Sequence, residues 1–189
     1  ELGYDTELWR EMASELGWTA MIVPEEYEGL GLGCVELVAL LEVMGESLVC
    51  APFFSTVALG AQALLVAGND DQKRAHLPAL AEGELRATLA VADAAGDWSP
   101  EAVTATCERR GDGFALDGRF RYVVDGHSVD LLIVAVSAAQ ISGLLETVID
   151  RQLAARVIVI PGGLEEKPGN EKSANRLREL LRRGRLDDA

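Results

Sequence analysis

The spacing of the apolar residues changes at Gly83, and this change limits the possible folds more than any other feature of the sequence. Before Gly83, apolar residues recur at the three- and four-residue intervals of amphipathic helices, as in the stripe of Leu8, Met12 and Leu16. After it, short apolar runs alternate with Asp-Gly pairs at 112–113, 117–118 and 125–126. Because Asp-Gly supplies the positive φ angles of tight hairpins, these runs predict an antiparallel meander. The predicted fold class is α+β, a helical N-terminal domain followed by an antiparallel, barrel-like β domain.

Four helices are predicted before Gly83. The apolar periodicity places them over residues 5–16, 34–48 and 56–67 and from residue 70 onward. Asn69 is expected to cap the fourth helix, with Gln72 at the reciprocal position of a capping box. The second helix is predicted to bury its apolar stripe, which consists of Leu37, Leu40, Leu41, Met44 and Leu48.

The remainder of the chain is predicted to contain short strands and then a tail of different character. Strands are predicted over residues 85–92, 103–108, 114–116, 119–124 and 129–136. The last run is apolar throughout, so we expect it to be buried on both faces. A helix over 137–150 and a strand over 157–160 follow, which is the order of a βαβ-like tail. We therefore divide the chain into a helical domain (1–84), a β domain (85–136) and a C-terminal tail (137–189).

The charge distribution excludes several classes of partner. The chain has a net charge of -14, which makes nucleic acid and anionic membrane surfaces poor partners. The uncharged stretches at 51–69 and 131–145 are too polar or too short to span a bilayer. Residues 1–150 hold 8 basic and 25 acidic side chains, whereas residues 151–189 hold 9 basic and 6 acidic ones. This shift indicates that the tail is a different structural unit.

The residues that usually carry metal binding or hydrolysis have no suitable spacing in this chain. Cys34, Cys50 and Cys107 form no CxxC motif and lie far from the histidines in sequence. No metal site and no disulfide framework are therefore predicted, and a reducing, cytoplasmic location is expected. His76 and His127 have no nucleophile motif to serve, so no catalytic residue is assigned.

The segment from Gly17 to Gly33, GWTAMIVPEEYEGLGLG, resembles the first signature of the acyl-CoA dehydrogenase family. Segments at 51–54, 67–73 and 77–83 are similar to the helical N-terminal domain of that family, in the same order and spacing. Segments at 89–93, 114–126 and 130–134 resemble its middle β domain. The resemblance covers about residues 1–136.

The resemblance implies a FAD-dependent oxidoreductase of fatty acid and lipid metabolism, which removes hydrogens from the α and β carbons of an acyl-CoA thioester. In such enzymes a carboxylate takes the α proton while the β hydride passes to the flavin. That carboxylate lies in a C-terminal helical domain of the family, and no segment of this chain resembles that domain. We therefore expect a fragment or divergent subunit that lacks the catalytic base, binds acyl-CoA and forms a homo- or hetero-oligomer.

The resemblance also implies where FAD would bind. The family's Thr-Glu-Pro-x-x-Gly-Ser-Asp loop corresponds to residues 92–97, and its Trp-x-Thr-Asn segment corresponds to residues 122–125. Ala92 and Val124 stand where the family has flavin-binding hydroxyls, whereas Tyr122 can pack against the flavin ring. A weak or partial FAD site is predicted, and its implied residues are Val91, Ala92, Asp93, Gly96, Asp97, Tyr122 and Val124.

A second resemblance concerns the tail. Residues 129–136, 137–150 and 157–163 are similar to part of the CoA-binding Rossmann-like domain of nucleoside-diphosphate-forming acyl-CoA synthetases. Two alternatives to the dehydrogenase hypothesis therefore stay open. One is a noncatalytic module that binds acyl-CoA or a protein partner, and the other is a CoA-binding fragment related to those synthetases.

Overall fold

The structure is a computed structural model that describes residues 3–99, 102–110 and 113–136. The described residues divide into two compact units. The first unit comprises the residues up to 89 together with 123–133, and the second comprises 90–122 together with 134–136. The boundaries of the three predicted domains stay predictions. The predicted βαβ-like tail, residues 137–189, lies outside the described residues.

The first helix forms where the apolar stripe predicts it, but only Met12 of that stripe is buried, since Leu8 and Leu16 are 36 and 49% exposed. Helix α1, Thr6–Arg10, begins at Asp5, whose carboxylate accepts the N–H groups of Glu7 and Leu8 at 2.8 and 3.2 Å. The helix continues as a wider π-helical segment, Glu11–Glu15. Gly17 ends it with a left-handed φ of 66°, as its position at the end of the stripe predicts. Two 3₁₀ turns follow, Trp18–Ala20 and Glu25–Tyr27.

The other three predicted helices are also confirmed. Helix α2 spans Cys34–Glu46, a π-helical segment Phe54–Ala61 runs directly into α3, Gln62–Ala67, and α4 spans Asp70–Ala81. The predicted capping box opens α4, since Asn69 and Gln72 each accept the other's backbone N–H at 2.9 Å. The predicted buried stripe of α2 is confirmed only in part, since Leu37 and Met44 are buried while Leu40 and Leu41 are half-buried. Leu48 is 87% exposed, because α2 ends two residues earlier and Leu48 lies beyond its last turn.

The core of the first unit lies among these helices. Its fully buried apolar side chains include Val23, Phe53, Val57, Leu64 and Leu77. Two buried threonines form hydrogen bonds between separate segments of this unit. Thr19 donates to the carbonyl of Ala81 at 2.6 Å, and Thr56 accepts the N–H of Ala87 at 3.3 Å. Burial of apolar side chains together with satisfied polar groups is the arrangement that stabilises a small domain.

The strands form two two-stranded sheets within the described residues. Strand β1, Ala87–Ala90, pairs with β4, Leu131–Val134. Leu131 N–H donates to Arg86 C=O and Ala135 N–H donates to Ala90 C=O, so both strands advance by four residues together and run parallel. Strands β2, Thr106–Arg110, and β3, Gly113–Asp117, form the hairpin predicted at the first Asp-Gly pair.

Three features of the predicted β domain differ from the structure. Residues 119–124 form no strand, because Tyr122 has a left-handed φ of 53° that interrupts an extended backbone. Strand β4 is shorter than predicted, and it is not buried on both faces, since Leu132 is 50% exposed. The sheet that contains β1 and β4 is parallel rather than part of an antiparallel meander. Closure into a barrel stays a prediction.

The first unit also contains a charged cluster at the start of its two paired strands. Arg86 donates from Nε and Nη2 to the two carboxylate oxygens of Asp130, both at 2.9 Å, and from Nη1 to the hydroxyl of Tyr4. The hydrogen bond from the Arg86 side chain is the main reason that the pKa of Asp130 is lowered. The same pairing raises the pKa of Arg86. We call this cluster of Tyr4, Arg86 and Asp130 the charged fork. It holds the start of β1 beside the start of β4.

Candidate functional site

The loop that follows β1 carries five of the predicted cofactor-binding residues, and Asp93 organises it. The Asp93 carboxylate accepts the N–H groups of Ala95 and Asp97 at 2.8 and 2.9 Å. The backbone of Asp93 also bonds within the loop, because its N–H donates to Asp97 C=O and its C=O accepts the N–H of Gly96. Asx turns of this kind close a loop on itself. The loop is therefore closed by hydrogen bonds among its own residues.

A second carboxylate extends the same pattern. Asp97 accepts the N–H of Ser99 at 2.8 Å, and this backbone hydrogen bond is the main reason that the pKa of Asp97 is lowered. The side chain of Asp97 is exposed and carries a negative charge at neutral pH. The loop is thus an anionic surface segment held by its own carboxylates.

Tyr122 lies against this loop within the second unit. Its side chain is 68% exposed, and its backbone has a φ of 53°. A Cβ atom on Gly96 would overlap Cε2 of the Tyr122 ring and would lie 3.0 Å from Cδ2, so the ring edge rests directly on the glycine backbone. The neighbouring Arg121 N–H donates to Ala92 C=O at 3.2 Å. The structure therefore brings Ala92, Asp93, Gly96, Asp97 and Tyr122 together.

The remaining two predicted residues occupy different surroundings. Val91 directly follows β1 and is half-buried. Val124 is a half-buried residue of the first unit. Its neighbour Asp125 accepts a 2.6 Å hydrogen bond from the hydroxyl of Ser55, which is completely buried. The sequence identifies Asp125 as a turn residue, and its φ of 53° confirms this, but no sequence signal indicates its pairing with Ser55 across 70 residues.

Three observations decide how these residues fit a flavin. Ala92 has no hydroxyl and is only 1% exposed, and its carbonyl is engaged by Arg121. The N–H groups of Asp93, Ala95, Gly96 and Asp97 all donate within the loop. The exposed Tyr122 ring is free to stack on a flat aromatic group. The arrangement fits an isoalloxazine ring by stacking, with few of the hydrogen bonds that would strengthen binding.

Membrane and metal sites have no support in the part of the chain that the structure describes. None of its helices combines the length and the apolar character that crossing a bilayer requires. Within the same residues, no three histidine, cysteine or carboxylate side chains are grouped so that they could hold a metal ion.

Comparison with known proteins shows what this chain is similar to. Residues 1–84 match the family model described as acyl-CoA dehydrogenase, N-terminal domain. The acyl-CoA dehydrogenase FadE12 of Mycobacterium tuberculosis is 31% identical over 118 residues, which are 61% of this chain and 30% of that protein. The resemblance to the acyl-CoA dehydrogenase family found in the sequence is therefore confirmed, and the match to the family's N-terminal domain covers residues 1–84.

Solved structures agree with this assignment. A variant of the Tcur3481-Tcur3483 steroid ACAD matches with a TM-score of 0.63 and 31% identity, covering 71% of this chain and 36% of that one. An acyl-CoA dehydrogenase complexed with FAD from Bacillus anthracis matches with a TM-score of 0.60 and 27% identity, covering 69% of this chain and 23% of that one. The chain spans about 30% of the length of the FadE12 relative.

Proposed function

We propose that this chain is part of an acyl-CoA dehydrogenase-like, FAD-dependent oxidoreductase that introduces a double bond between the α and β carbons of an acyl-CoA thioester. The family match over residues 1–84 supports the proposal, as does the similarity to a dehydrogenase complexed with FAD. The observation that carries it within this chain is the exposed ring of Tyr122, which rests on the loop that corresponds to the family's flavin loop.

We further propose that the FAD site of this chain is weaker than that of its relatives. When bound, FAD supplies an acceptor for the substrate hydride. Tyr122 would stack on its ring, and Gly96 would allow the loop to approach closely. Ala92 and Val124 offer no hydroxyl where the family pattern has one. A missing side-chain hydrogen bond costs about 1 kcal/mol, and two such losses reduce affinity about 30-fold.

No residue of this chain is assigned as the catalytic base. The resemblance implies that a carboxylate from a C-terminal helical domain removes the α proton, and the matched relatives extend well beyond the region that this chain covers. Under the proposal, the described residues provide a scaffold and one side of a flavin site. A chain of this kind would act together with the remaining part of a dehydrogenase.

Assembly with a second subunit is part of the proposal. Helix α2 exposes apolar side chains, and Val35, Val38 and Val43 are 79, 62 and 58% exposed. Exposed apolar side chains grouped on one element are typical of interaction surfaces. The name of the Tcur3481-Tcur3483 structure pairs two gene products. We propose a homo- or hetero-oligomer in the cytoplasm, where the exposed thiols of Cys34 and Cys50 would stay reduced.

The experiment that tests the proposal is a binding study on the full 189-residue chain. The purified protein is incubated with FAD, separated from free flavin and scanned for flavin absorbance, and butyryl-CoA and free CoA are then titrated by calorimetry. Flavin uptake together with preference for the acyl-CoA is expected. Binding of butyryl-CoA without flavin would instead favour the noncatalytic module, and equal binding of free CoA would favour the synthetase-related fragment.

A further inference from the structure

We propose that Gly96 is a positioning residue, which fixes the ring of Tyr122 so that one flat face stays open to a planar aromatic ligand. The ligand class rests on the proposed function and is the isoalloxazine ring of FAD. The position of the Tyr122 ring, in contrast, depends only on contacts within this chain. It is therefore testable without any cofactor.

The contact between the two residues is so close that a side chain at position 96 would force the ring of Tyr122 to move. A Cβ on Gly96 would overlap Cε2 of Tyr122 and would come within 3.0 Å of Cδ2 and 3.6 Å of Cζ. The φ of Gly96 is 88°, in the left-handed region that glycine adopts without a steric cost. Position 96 therefore favours glycine for two reasons. Its backbone has a positive φ, and the ring of Tyr122 lies directly against it.

The ring of Tyr122 lies at the protein surface. Its side chain is 68% exposed, so burial does not fix it. Its backbone adopts a φ of 53°, which is rare for a bulky residue and persists only where neighbouring contacts impose it. The hydrogen bond from Arg121 N–H to Ala92 C=O holds the backbone just before it. Gly96 then supplies the surface on which the ring edge rests.

Asp93 holds Gly96 in that position. Its carboxylate accepts the N–H groups on both sides of Gly96, from Ala95 and Asp97, and its carbonyl accepts the N–H of Gly96 itself. This part of the loop is therefore ordered before a ligand arrives. A ring that is already oriented loses less conformational entropy on binding, which increases affinity for a flat partner.

The first test measures the fluorine resonance of the Tyr122 ring in the absence of flavin. The chain has three tyrosines, so incorporation of 3-fluorotyrosine gives three fluorine environments that single Tyr→Phe variants assign. In the wild-type protein we expect the Tyr122 resonance to differ from that of free fluorotyrosine. In Gly96→Ala it should move toward the free value, while Gly45→Ala, where an added Cβ meets nothing within 4 Å, should leave it unchanged. Equal spectra for wild type and Gly96→Ala would overturn the proposal.

A second pair of variants protects the test against misfolding of Gly96→Ala. Asp93→Asn keeps an oxygen that can accept both N–H groups, whereas Asp93→Ala removes it. The Tyr122 resonance should move in Asp93→Ala and be restored in Asp93→Asn, with far-UV circular dichroism unchanged in both. Movement in both variants, or in neither, would contradict a positioning role for this loop.

The final arm connects the ring to the ligand. FAD affinity, measured by flavin fluorescence, should fall about tenfold in Gly96→Ala and should not change in Gly45→Ala. If Gly96→Ala moves the resonance but no variant binds FAD, the fixed ring stands and the proposed flavin function fails. If FAD binds equally to wild type and Gly96→Ala, the flavin function stands and the assigned role of Gly96 fails.

Discussion

The two units hold their backbones in different ways. The first unit satisfies its backbone groups mainly through helices, of which α1 and α4 begin at a side-chain cap, and it buries side chains such as Phe53 and Leu64 completely. The loop of the second unit satisfies its N–H groups through the carboxylates of Asp93 and Asp97 and leaves Tyr122 exposed. Apolar burial produces a stable scaffold, whereas loops closed by local hydrogen bonds present side chains to a ligand. Buried packing thus accounts for the stability of the first unit, and under the proposed function the loop of the second unit contributes the binding surface.

The largest effect on stability is expected from the core of the first unit. Phe53 is completely buried, and its neighbour Phe54 is 47% exposed. Phe53→Ala should lower the free energy of unfolding by about 3–5 kcal/mol, because it leaves a cavity among packed side chains. Phe54→Ala should cost less than about 1 kcal/mol. Chemical denaturation of both variants checks the difference, and equal losses would show that the core lies elsewhere.

A smaller effect is expected at the charged fork. Arg86→Ala should destabilise by about 1–2 kcal/mol, a value reduced for solvent screening because Asp130 is partly exposed. Arg10→Ala is the matched control, since the Arg10–Glu15 pair is 3.7 Å apart and largely exposed. Removal of that pair should change the free energy of unfolding by less than about 0.5 kcal/mol. A loss as large as that of Arg86→Ala would contradict the account.

The fork also predicts a pH dependence. The pKa of Asp130 is lowered in the folded protein, so its contribution is complete above the unfolded value of about 3.9 and is lost as the pH falls through the folded value. The free energy of unfolding should therefore decrease between pH 5 and pH 3. The decrease should be shallower in Asp130→Asn. Urea denaturation at several pH values measures both slopes, and identical slopes would exclude Asp130 as a contributor.

The smallest of these effects concerns a helix cap. Asn69→Ala removes the side chain that accepts the N–H of Gln72, and it should destabilise by about 1 kcal/mol. Arg74→Ala, on an exposed position of the same helix, should stay within about 0.5 kcal/mol of wild type. Thermal unfolding followed by circular dichroism distinguishes them, and a cap variant as stable as wild type would show that tertiary packing alone fixes the start of α4.

The helices could be predicted from the sequence because their signals are local. A repeating apolar stripe, a terminal glycine and a capping box each act within a few residues. The glycine after α1 and the capping box of α4 are confirmed, whereas the stripe of α1 places the helix but buries only Met12. Leu48 was misassigned because periodicity does not show where a helix stops. The parallel pairing of β1 with β4 could not be predicted, since it joins residues 45 positions apart without a local turn signal.

The sequence predicts which residues belong to the candidate site, but it does not predict how they are arranged. The resemblance pointed to the loop and to Tyr122, which the structure places in contact. The positive φ of Tyr122 has no sequence signal, because the segment around it has the apolar and β-branched residues of an ordinary strand. The same holds for the hydrogen bond between Ser55 and Asp125, which depends on tertiary packing.

The proposal that Tyr122 stacks on a flavin can be tested by measuring the dissociation constant of FAD for the full chain and three variants. The account predicts weak but measurable binding by the wild type, unchanged binding in Tyr122→Phe, which keeps the ring, and about tenfold weaker binding in Tyr122→Ala. Trp98→Ala, which removes another exposed aromatic side chain, should bind as the wild type does. Absence of binding by the wild type, or equal affinity in Tyr122→Ala, would contradict the account.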